Sequence, residues 1–303
     1  MKPSVNSRME CPDFKSLVFR EQFRPRMLSI HLAMASVMLL AYGCGKPQQI
    51  EPSPLCAGKP TIEQAAFALT AQRDQLAPFQ ASARCVMEWR DAEDRLHRES
   101  FDARAACVPP ERVFFRADKF GEIRFGANES EFWLRIKPEL DTYWYGTRQQ
   151  AQRCAHVLMI NPANLAEALG VVHVDTNWEL FHRDGYDLLT QRRNGRPVKR
   201  VYVDCCDYRV RRIEYYDPQG QVVAATELSD YTPIDPALVV PTHIRLMTIY
   251  QGLEESSARI ELRNIRRFDP TPAQLENLFS RPGRDGYGTV LRLDENCTFS
   301  QEL

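Results

Sequence analysis

Apolar and polar residues alternate along most of the chain after residue 78. In the first such stretch, which begins at Phe79, apolar Cys85, Met87 and Trp89 occupy every second position, and charged Glu88 lies between the last two. A period of two is typical of a β-strand with one buried face. The same pattern predicts further strands over residues 99–107, 112–117, 121–125, 131–136, 141–145, 178–183, 186–191, 198–204, 208–217, 221–231, 242–250 and 258–268.

Three helices are predicted beside these strands. The spacing of Thr61 and Gln64 is a capping-box signature, and an apolar stripe with helical period follows it. Pro162 suits the first turn of a second helix and Gly170 its end. Thr271 begins a third helix with the same capping spacing. The predicted helices therefore cover residues 61–76, 161–169 and 271–279.

Short polar connections join most of the predicted strands. Neighbouring strands must then be antiparallel, because a parallel pair needs a crossover of about a dozen residues or more. Strand twist accumulates in a large sheet until the sheet curls or closes. We therefore predict an α+β fold: a strongly curled antiparallel sheet, or half-barrel, of about 11–13 strands, with helices covering the concave face.

The N-terminal region has the features of an exported protein. An apolar run over residues 28–41 follows Arg20, Arg24 and Arg26 and ends just before Cys44. The run suits a signal peptide and is shorter than the roughly 20 residues of a membrane-spanning helix. The residues before Cys44 resemble a bacterial lipobox, with an imperfect match, so we expect a diacylglycerol on the Cys44 thiol. Simple cleavage, an uncleaved anchor and a cytosolic location are the alternatives.

Three regions are predicted along the chain. Residues 1–43 form the signal segment, and because residues 1–26 have no hydrophobic periodicity, Met27 is an alternative start. Residues 44–60 comprise the lipidated cysteine and a tether with four prolines, and Cys56 indicates that the far end of the tether is pinned to the domain. Residues 61–303 form a single domain.

Composition narrows the functional classes. The chain has 39 Lys and Arg residues against 40 Asp and Glu residues, so no basic field for nucleic acid is expected. No Cys or His spacing is typical of a metal site, and neither a metal nor a cofactor is predicted. Nine cysteines are present. They allow disulfide bonds in an oxidising compartment, although several of them suit buried free thiols equally well.

A vicinal cysteine pair is the one constellation that suggests covalent chemistry. Cys205 and Cys206 lie between Asp204 and Asp207. Neighbouring carboxylates raise the pKa of a thiol and so weaken it as a nucleophile near neutral pH. We therefore predict no enzyme activity and no catalytic residue, and keep a thiol-based enzyme as an alternative.

The C-terminal half carries a recognisable series of structural motifs. Residues 204–246 contain a charged strand, a Pro-Gly hairpin, a strand that ends at Tyr231 and a strand start with Val-Pro-Thr. Residues 264–279 contain Asn-x-x-x-Phe-Asp-Pro followed by Leu-Phe. Over about residues 61–282 the chain resembles the outer-membrane lipoprotein-sorting proteins LolA and LolB and their broader half-barrel superfamily. The resemblance implies a half-barrel that holds acyl chains on an apolar concave face and implies no catalytic residue.

The predicted function is therefore that of an envelope lipoprotein. We expect it to face the periplasm, to be anchored to the outer rather than the inner membrane, and to bind an acyl chain or a lipidated protein in lipid or lipoprotein trafficking. A scaffold or sensor that binds another envelope protein on the same fold is the alternative, and a filled core would favour it. The candidate ligand-binding residues are the apolar positions assigned to one side of the sheet: Met87, Trp89, Phe132, Leu134, Ile136, Tyr143, Tyr145, Trp178, Leu180, Tyr186 and Leu188.

Overall fold

The structure is a computed structural model of the 303-residue chain. It describes residues 56–90, 94–117, 122–137, 141–154, 164–235 and 238–302. The predicted signal segment, Cys44 and the tether as far as residue 55 lie outside the described residues.

The helices begin at the positions that the capping residues predict. The described part of the chain contains α1 (Ile62–Gln75), α2 (Arg148–Arg153), α3 (Leu165–Ala168) and α4 (Pro272–Phe279). The Thr61 hydroxyl accepts a hydrogen bond from the backbone N–H of Gln64 at the start of α1. A reciprocal capping box joins Thr271 and Gln274 at the start of α4. Both helices are confirmed to within one residue at each end.

The other two helices differ from the prediction. Helix α2 has a reciprocal capping box between Thr147 and Gln150, which the sequence analysis did not identify. Helix α3 is four residues long, whereas the predicted helix began at residue 161. Residues 161–163 of that prediction lie outside the described residues.

All thirteen predicted strands are present, and β14 and β15 are additional. The strands are β1 (Phe79–Arg90), β2 (Leu96–Val108), β3 (Arg112–Ala117), β4 (Glu122–Ala127), β5 (Glu131–Lys137), β6 (Thr142–Thr147), β7 (Glu179–Arg183), β8 (Tyr186–Arg193), β9 (Arg196–Asp204), β10 (Val210–Tyr216), β11 (Val222–Asp235), β12 (Leu238–Tyr250), β13 (Leu253–Arg267), β14 (Thr289–Leu293) and β15 (Phe299–Gln301).

The strands form one mostly antiparallel sheet, which makes the fold α+β. Among the described residues the order is β15-β14-β6-β5-β4-β3-β2-β1-β13-β12-β11-β10-β9-β8-β7. The middle of the sheet joins strands that are far apart in the sequence, because β1 pairs with β13. The pairing of β6 with β14 is parallel. A parallel return after a long connection is invisible to local sequence patterns, which explains why β14 was missed.

One face of the sheet is continuously apolar, and we call it the helix-bearing face. The strand registers place Cys85, Ile260, Ile244 and Leu228 directly beside one another on it, across β1, β13, β12 and β11. Each of these side chains is buried. The row one residue away, on the opposite face, is polar and includes Arg84 and Glu261 and the residues paired with them.

Two helices cover the helix-bearing face. Helix α1 packs Ala65, Ala66 and Leu69 into a cluster with the buried residues of β8 to β11. Leu165 of α3 and Leu169, which follows the helix, pack into a cluster with β1 to β4, β12 and β13. The alternating pattern therefore predicted the buried side of most strands correctly, because burying that side is what selects the register.

A disulfide between Cys154 and Cys297 ties the C-terminal segment to the end of α2. The two cysteines are 143 residues apart in the sequence. A cross-link over so long a loop restricts the unfolded chain, and loss of such a bond costs about 2–4 kcal/mol.

We predict that the double variant C154A/C297A lowers the free energy of unfolding by about 2–4 kcal/mol in urea titrations without reductant. The variant C205A, which removes a cysteine that is not disulfide-bonded, serves as control and should change it by less than about 1 kcal/mol. An unchanged unfolding midpoint in the double variant would contradict the assigned disulfide.

Candidate functional site

The floor of the helix-bearing face is made of small side chains where α3 crosses it. Ala81, Ala83, Ala103, Ala105 and Ala117 are all buried in the cluster that contains α3. Small side chains allow another backbone or an inserted chain to come close to the sheet. Larger aromatic side chains border this floor, and two of them stack with ring centroids 4.7 Å apart: Phe115 and Phe125.

Helix α3 lies over this floor and contacts both β3 and β11. Its four residues are mostly apolar, and Leu165, Ala166 and Ala168 are buried. Its last turn is closed by hydrogen bonds from the N–H groups of Leu169 and Val171 to the carbonyl oxygens of Leu165 and Ala166. The helix-bearing face is thus occupied by the protein's own chain.

The remaining residue of α3 makes a polar cluster inside the apolar face. A carboxylate oxygen of Glu167 lies 2.5 Å from the Lys199 ammonium, and its other oxygen accepts a hydrogen bond from the Tyr215 hydroxyl at 2.6 Å. The side chains of Lys199 and Glu167 are only 11% and 12% exposed. Burial raises the pKa of Tyr215 well above its usual value, and the neighbouring Glu167 charge raises it further.

The strand pattern explains how these residues meet. Lys199 and Tyr215 are paired directly between β9 and β10. Lys199 is on the same side of β9 as buried Val201 and Val203, although it is charged. Its ammonium lies 5.7 Å from the ring centroid of Trp178. The cluster was not predicted from the sequence. The feature that could have indicated it is a lysine at an inward-facing position of an otherwise apolar strand.

A second polar cluster holds residues 56–59 against the sheet. Cys56 forms a disulfide with Cys206. The sequence indicated that the segment around Cys56 is attached to the domain but did not identify its partner. The Asp187 side chain is fully buried and accepts a hydrogen bond from the backbone N–H of Lys59 at 2.8 Å. A Cβ atom on Gly58 would lie 1.8 Å from an Asp187 oxygen, so the approach requires glycine.

The free Cys205 thiol belongs to this second cluster. It donates a weak hydrogen bond to the same Asp187 oxygen that lies 2.8 Å from Nδ1 of His182. Burial raises the pKa of Cys205 to about 11, and the hydrogen bond to Asp187 and the charges of Asp187 and Asp204 contribute in the same direction. A thiol of this kind is protonated near neutral pH and is a poor nucleophile, which argues against the thiol-enzyme alternative.

The structure places seven of the eleven candidate ligand-binding residues on the helix-bearing side. The strand registers put Met87, Trp89, Phe132, Leu134, Ile136 and Leu180 on that face. Trp178 lies just before β7 and is buried in the cluster that contains α1. Their role in ligand binding stays a prediction. Trp89 stacks on His97 near the end of its hairpin.

The other four candidates lie on the opposite face, so their assignment to the same side was wrong. Tyr143 pairs with Arg135 and Tyr145 pairs with Trp133, so each tyrosine lies on the same face as its partner. The residues next to these partners on β5 face the helices, so the tyrosines face the other way. Residues 281–287 cover this part of the opposite face, where the Tyr143 hydroxyl donates a hydrogen bond to the carbonyl oxygen of Pro282. A strand that is buried on both faces gives no clear alternation, and the tyrosines were assigned by their apolar character alone.

Tyr186 and Leu188 were misassigned for a different reason. Between them, Asp187 faces the helix-bearing side, where it is buried and accepts a hydrogen bond from the backbone N–H of Lys59. A charged residue at an inward position reverses the apparent pattern of the strand. The Tyr186 ring instead packs edge-on against Tyr202 on the opposite face.

The opposite face has a groove of about 590 Å³ over the four strands β1, β13, β12 and β11. Charged side chains of both signs line it, and most of them are paired, either with one another or with charged residues beside the groove. Arg245 lies 3.6 Å from Glu227, and Arg259 lies 3.3 Å from Glu88 at the edge of the groove. The lining residues are Arg84, Val86, Glu227, Leu228, Ser229, His243, Ile244, Arg245, Arg259, Ile260 and Glu261.

The described residues contain no group of three or more His, Cys, Asp or Glu side chains placed to hold a metal ion. Within the same residues, no helix has both the length and the apolar character required to cross a membrane.

We predict that iodoacetamide labels Cys205 of the folded, unreduced protein very slowly near neutral pH and that the rate rises as the pH approaches 11. The variant D187N keeps a hydrogen-bond acceptor but removes the charge, so it should shift the rise to lower pH. Peptide mass spectrometry reports the labelled site, and the urea-unfolded protein serves as control. Rapid labelling of the folded protein near neutral pH would instead revive the thiol-enzyme alternative.

Comparison with known proteins supports the fold. No protein-family model matches this sequence, and no curated protein matches it. A domain from Vibrio parahaemolyticus, named for outer membrane lipoprotein sorting, is similar in structure with a TM-score of 0.50 and 13% identity. The match covers 72% of this chain and 96% of that one.

Two further solved structures are similar to a smaller degree. A LolA superfamily protein from Nitrosomonas europaea has a TM-score of 0.46 and 11% identity, and the match covers 71% of this chain and 97% of that chain. A DUF1329 family protein from Desulfovibrio piger has a TM-score of 0.47 and 13% identity, over 71% of this chain and 97% of that chain. The match to the Vibrio domain shows that this chain shares the fold of that domain, a LolA-like fold.

Proposed function

We propose that this protein is a membrane-tethered lipoprotein of the cell envelope whose helix-bearing face binds an acyl chain or the acyl groups of a lipidated protein. Its place would be the periplasm, on the outer rather than the inner membrane, in lipid or lipoprotein trafficking. The observation that carries the proposal is the single apolar face with a floor of alanines, covered over its centre by a helix of four residues.

A strong curl of the sheet is part of the proposal. Helix α3 contacts both β3 and β11, which are five strand spacings apart in the sheet. In a flat sheet these strands would be about 24 Å apart at roughly 4.8 Å per spacing. A helix of four residues is only about 6 Å long. The contacts of α3 therefore favour a sheet that bends around it, as a half-barrel does.

An acyl chain would enter by displacing α3. Burying Leu165 and Leu169 contributes about 3–6 kcal/mol, and leaving Lys199 without Glu167 costs about 3–5 kcal/mol. A chain of about twelve carbons gains roughly 9 kcal/mol at about 0.8 kcal/mol per CH₂ group. The cost of displacing α3 and the gain from burying the acyl chain are of similar size. Exchange of the helix for a bound acyl chain is therefore energetically feasible.

The tether would hold this face near a membrane. Lipid attachment at Cys44 would anchor the chain, and the Cys56–Cys206 disulfide fixes the other end of the tether to the domain. The hydrogen bond from Lys59 to buried Asp187 stabilises the same junction. A domain joined in this way stays close to lipid without being inserted into it.

A scaffold or sensor that binds another envelope protein is the second candidate. Two observations favour it: α3 already fills the helix-bearing face, and the charged groove on the opposite face has the volume of a binding site. In this case the apolar face would serve only as a core.

Mass spectrometry of the purified native protein tests the primary proposal. We expect an N-terminal fragment that begins at Cys44 with diacylglycerol and a co-purified acyl compound that dissociates on unfolding. The urea-washed and refolded protein is the control for adventitious lipid. An unmodified N-terminus elsewhere, with no acyl compound, would refute the lipoprotein reading and favour the second candidate.

We also predict that the variant C44A moves the protein from the membrane fraction to the soluble envelope fraction. The change removes the thiol to which the lipid is attached, and the two acyl chains of a diacylglycerol account for stable membrane association. C11A, which removes a cysteine within the predicted signal segment, is the matched control and should leave the distribution unchanged. Membrane association that persists in C44A would contradict a lipid anchor at this residue.

A further inference from the structure

The polar cluster at α3 has the chemistry of a fatty-acid site filled by the protein itself. Helix α3 presents apolar Leu165, Ala166 and Ala168 to the sheet, and its single charged group, Glu167, is a carboxylate. A fatty acid has the same two parts, an apolar chain and one carboxylate. A ligand that replaces α3 on this face contacts the same side chains as α3 does. Its binding is favoured if it makes the same ion pair, hydrogen bond and apolar contacts.

We propose that the natural ligand of the helix-bearing face is an acyl compound that ends in a carboxylate, and that its carboxylate takes the place of Glu167 between Lys199 and Tyr215. This inference rests on the proposed acyl-binding function and specifies the ligand class. It also gives a role to buried Lys199, which a binding face for a purely apolar ligand would not need.

The energetic balance at α3 supports this choice. A neutral acyl chain that displaces α3 leaves the Lys199 ammonium, which is 11% exposed, without a counter-charge. Loss of one partner of a buried ion pair is strongly unfavourable. A carboxylate restores the ion pair and accepts the Tyr215 hydrogen bond, so the displacement of α3 then leaves no unpaired charge behind.

A third donor at the site has no acceptor in the described part of the chain. The indole N–H of Trp178 is buried without a hydrogen-bond partner, although the residue is only 5% exposed. Buried N–H groups are normally paired. The Trp178 ring lies beside the Lys199 ammonium. A ligand carboxylate has more acceptor positions than Lys199 and Tyr215 use, so it could also accept from this indole.

The position of the cluster suits a ligand that enters with its tail first. Lys199 is the fourth residue of β9 and Tyr215 is the next to last residue of β10. Both therefore lie towards one end of the sheet, near the turns at Gly195 and Gly220. The apolar floor of alanines lies on the same face, farther along the strands in β1 to β3. A ligand carboxylate bound between Lys199 and Tyr215 would leave the acyl chain to extend along this face towards the floor.

Isothermal titration calorimetry of the purified full-length chain, stripped of lipid, tests this inference with dodecanoic acid and dodecan-1-ol near neutral pH. The two probes share one chain length and differ in the end group. We expect the acid to bind at least tenfold more tightly than the alcohol, which is about the effect of a hydrogen bond to a charged group. E167Q, which weakens the competing internal carboxylate, should bind the acid more tightly than the wild type.

The double variant E167Q/K199M provides the second arm. It removes both charges, so no unpaired buried charge threatens folding, and we expect it to bind acid and alcohol with equal affinity. K137M is the matched control, because Lys137 lies on the opposite face beside Asp141, and it should keep the preference for the acid.

Each outcome discriminates between the two proposals. Equal binding of acid and alcohol by the wild type, or a preference for the acid that persists in E167Q/K199M, would overturn the carboxylate inference and leave acyl binding in place. Absence of binding of both probes by the folded protein would overturn both the inference and the proposed function.

Discussion

A wide apolar face with little helix to cover it is the constraint on which this structure depends. The sheet runs through fifteen strands in the described residues, and one face is apolar across its middle. Apolar surface left in water is unfavourable in proportion to its area. Helix α1 covers β8 to β11, and the short α3 must cover the rest of the centre. A small cover over a large apolar face is what makes exchange with a ligand conceivable.

Most of this arrangement follows from local signals in the sequence. The capping residues Thr61 and Thr271 locate α1 and α4, and alternation locates β1 to β13. Cys56 indicated that its segment is attached to the domain, and the disulfide with Cys206 shows this attachment. These features were predictable because each depends on residues that are near one another in the chain or on a simple period. β14 and β15 were not, since the pairing of β14 with β6 depends on distant residues.

The candidate site was harder to predict because its decisive residues contradict the simple pattern. Asp187 and Lys199 are charged and face the apolar side, and each has a partner that the sequence does not reveal: the Lys59 backbone and Glu167. The apolar Tyr143 faces away from the helices because the C-terminal segment buries it. The alternation of apolar and polar residues along a strand predicts which side chains are buried when one face of the strand is buried. The prediction fails where both faces are buried or where a charged side chain is buried with a partner.

The central claim is that α3 leaves the helix-bearing face when an acyl ligand binds. Amide hydrogen exchange with and without dodecanoic acid tests it directly at Leu169 and Val171, whose N–H groups close the last turn of α3. The account predicts faster exchange over residues 165–171 in the presence of the ligand and unchanged exchange in β12. Bound ligand, established by calorimetry on the same sample, together with unchanged or slower exchange over residues 165–171, would contradict it.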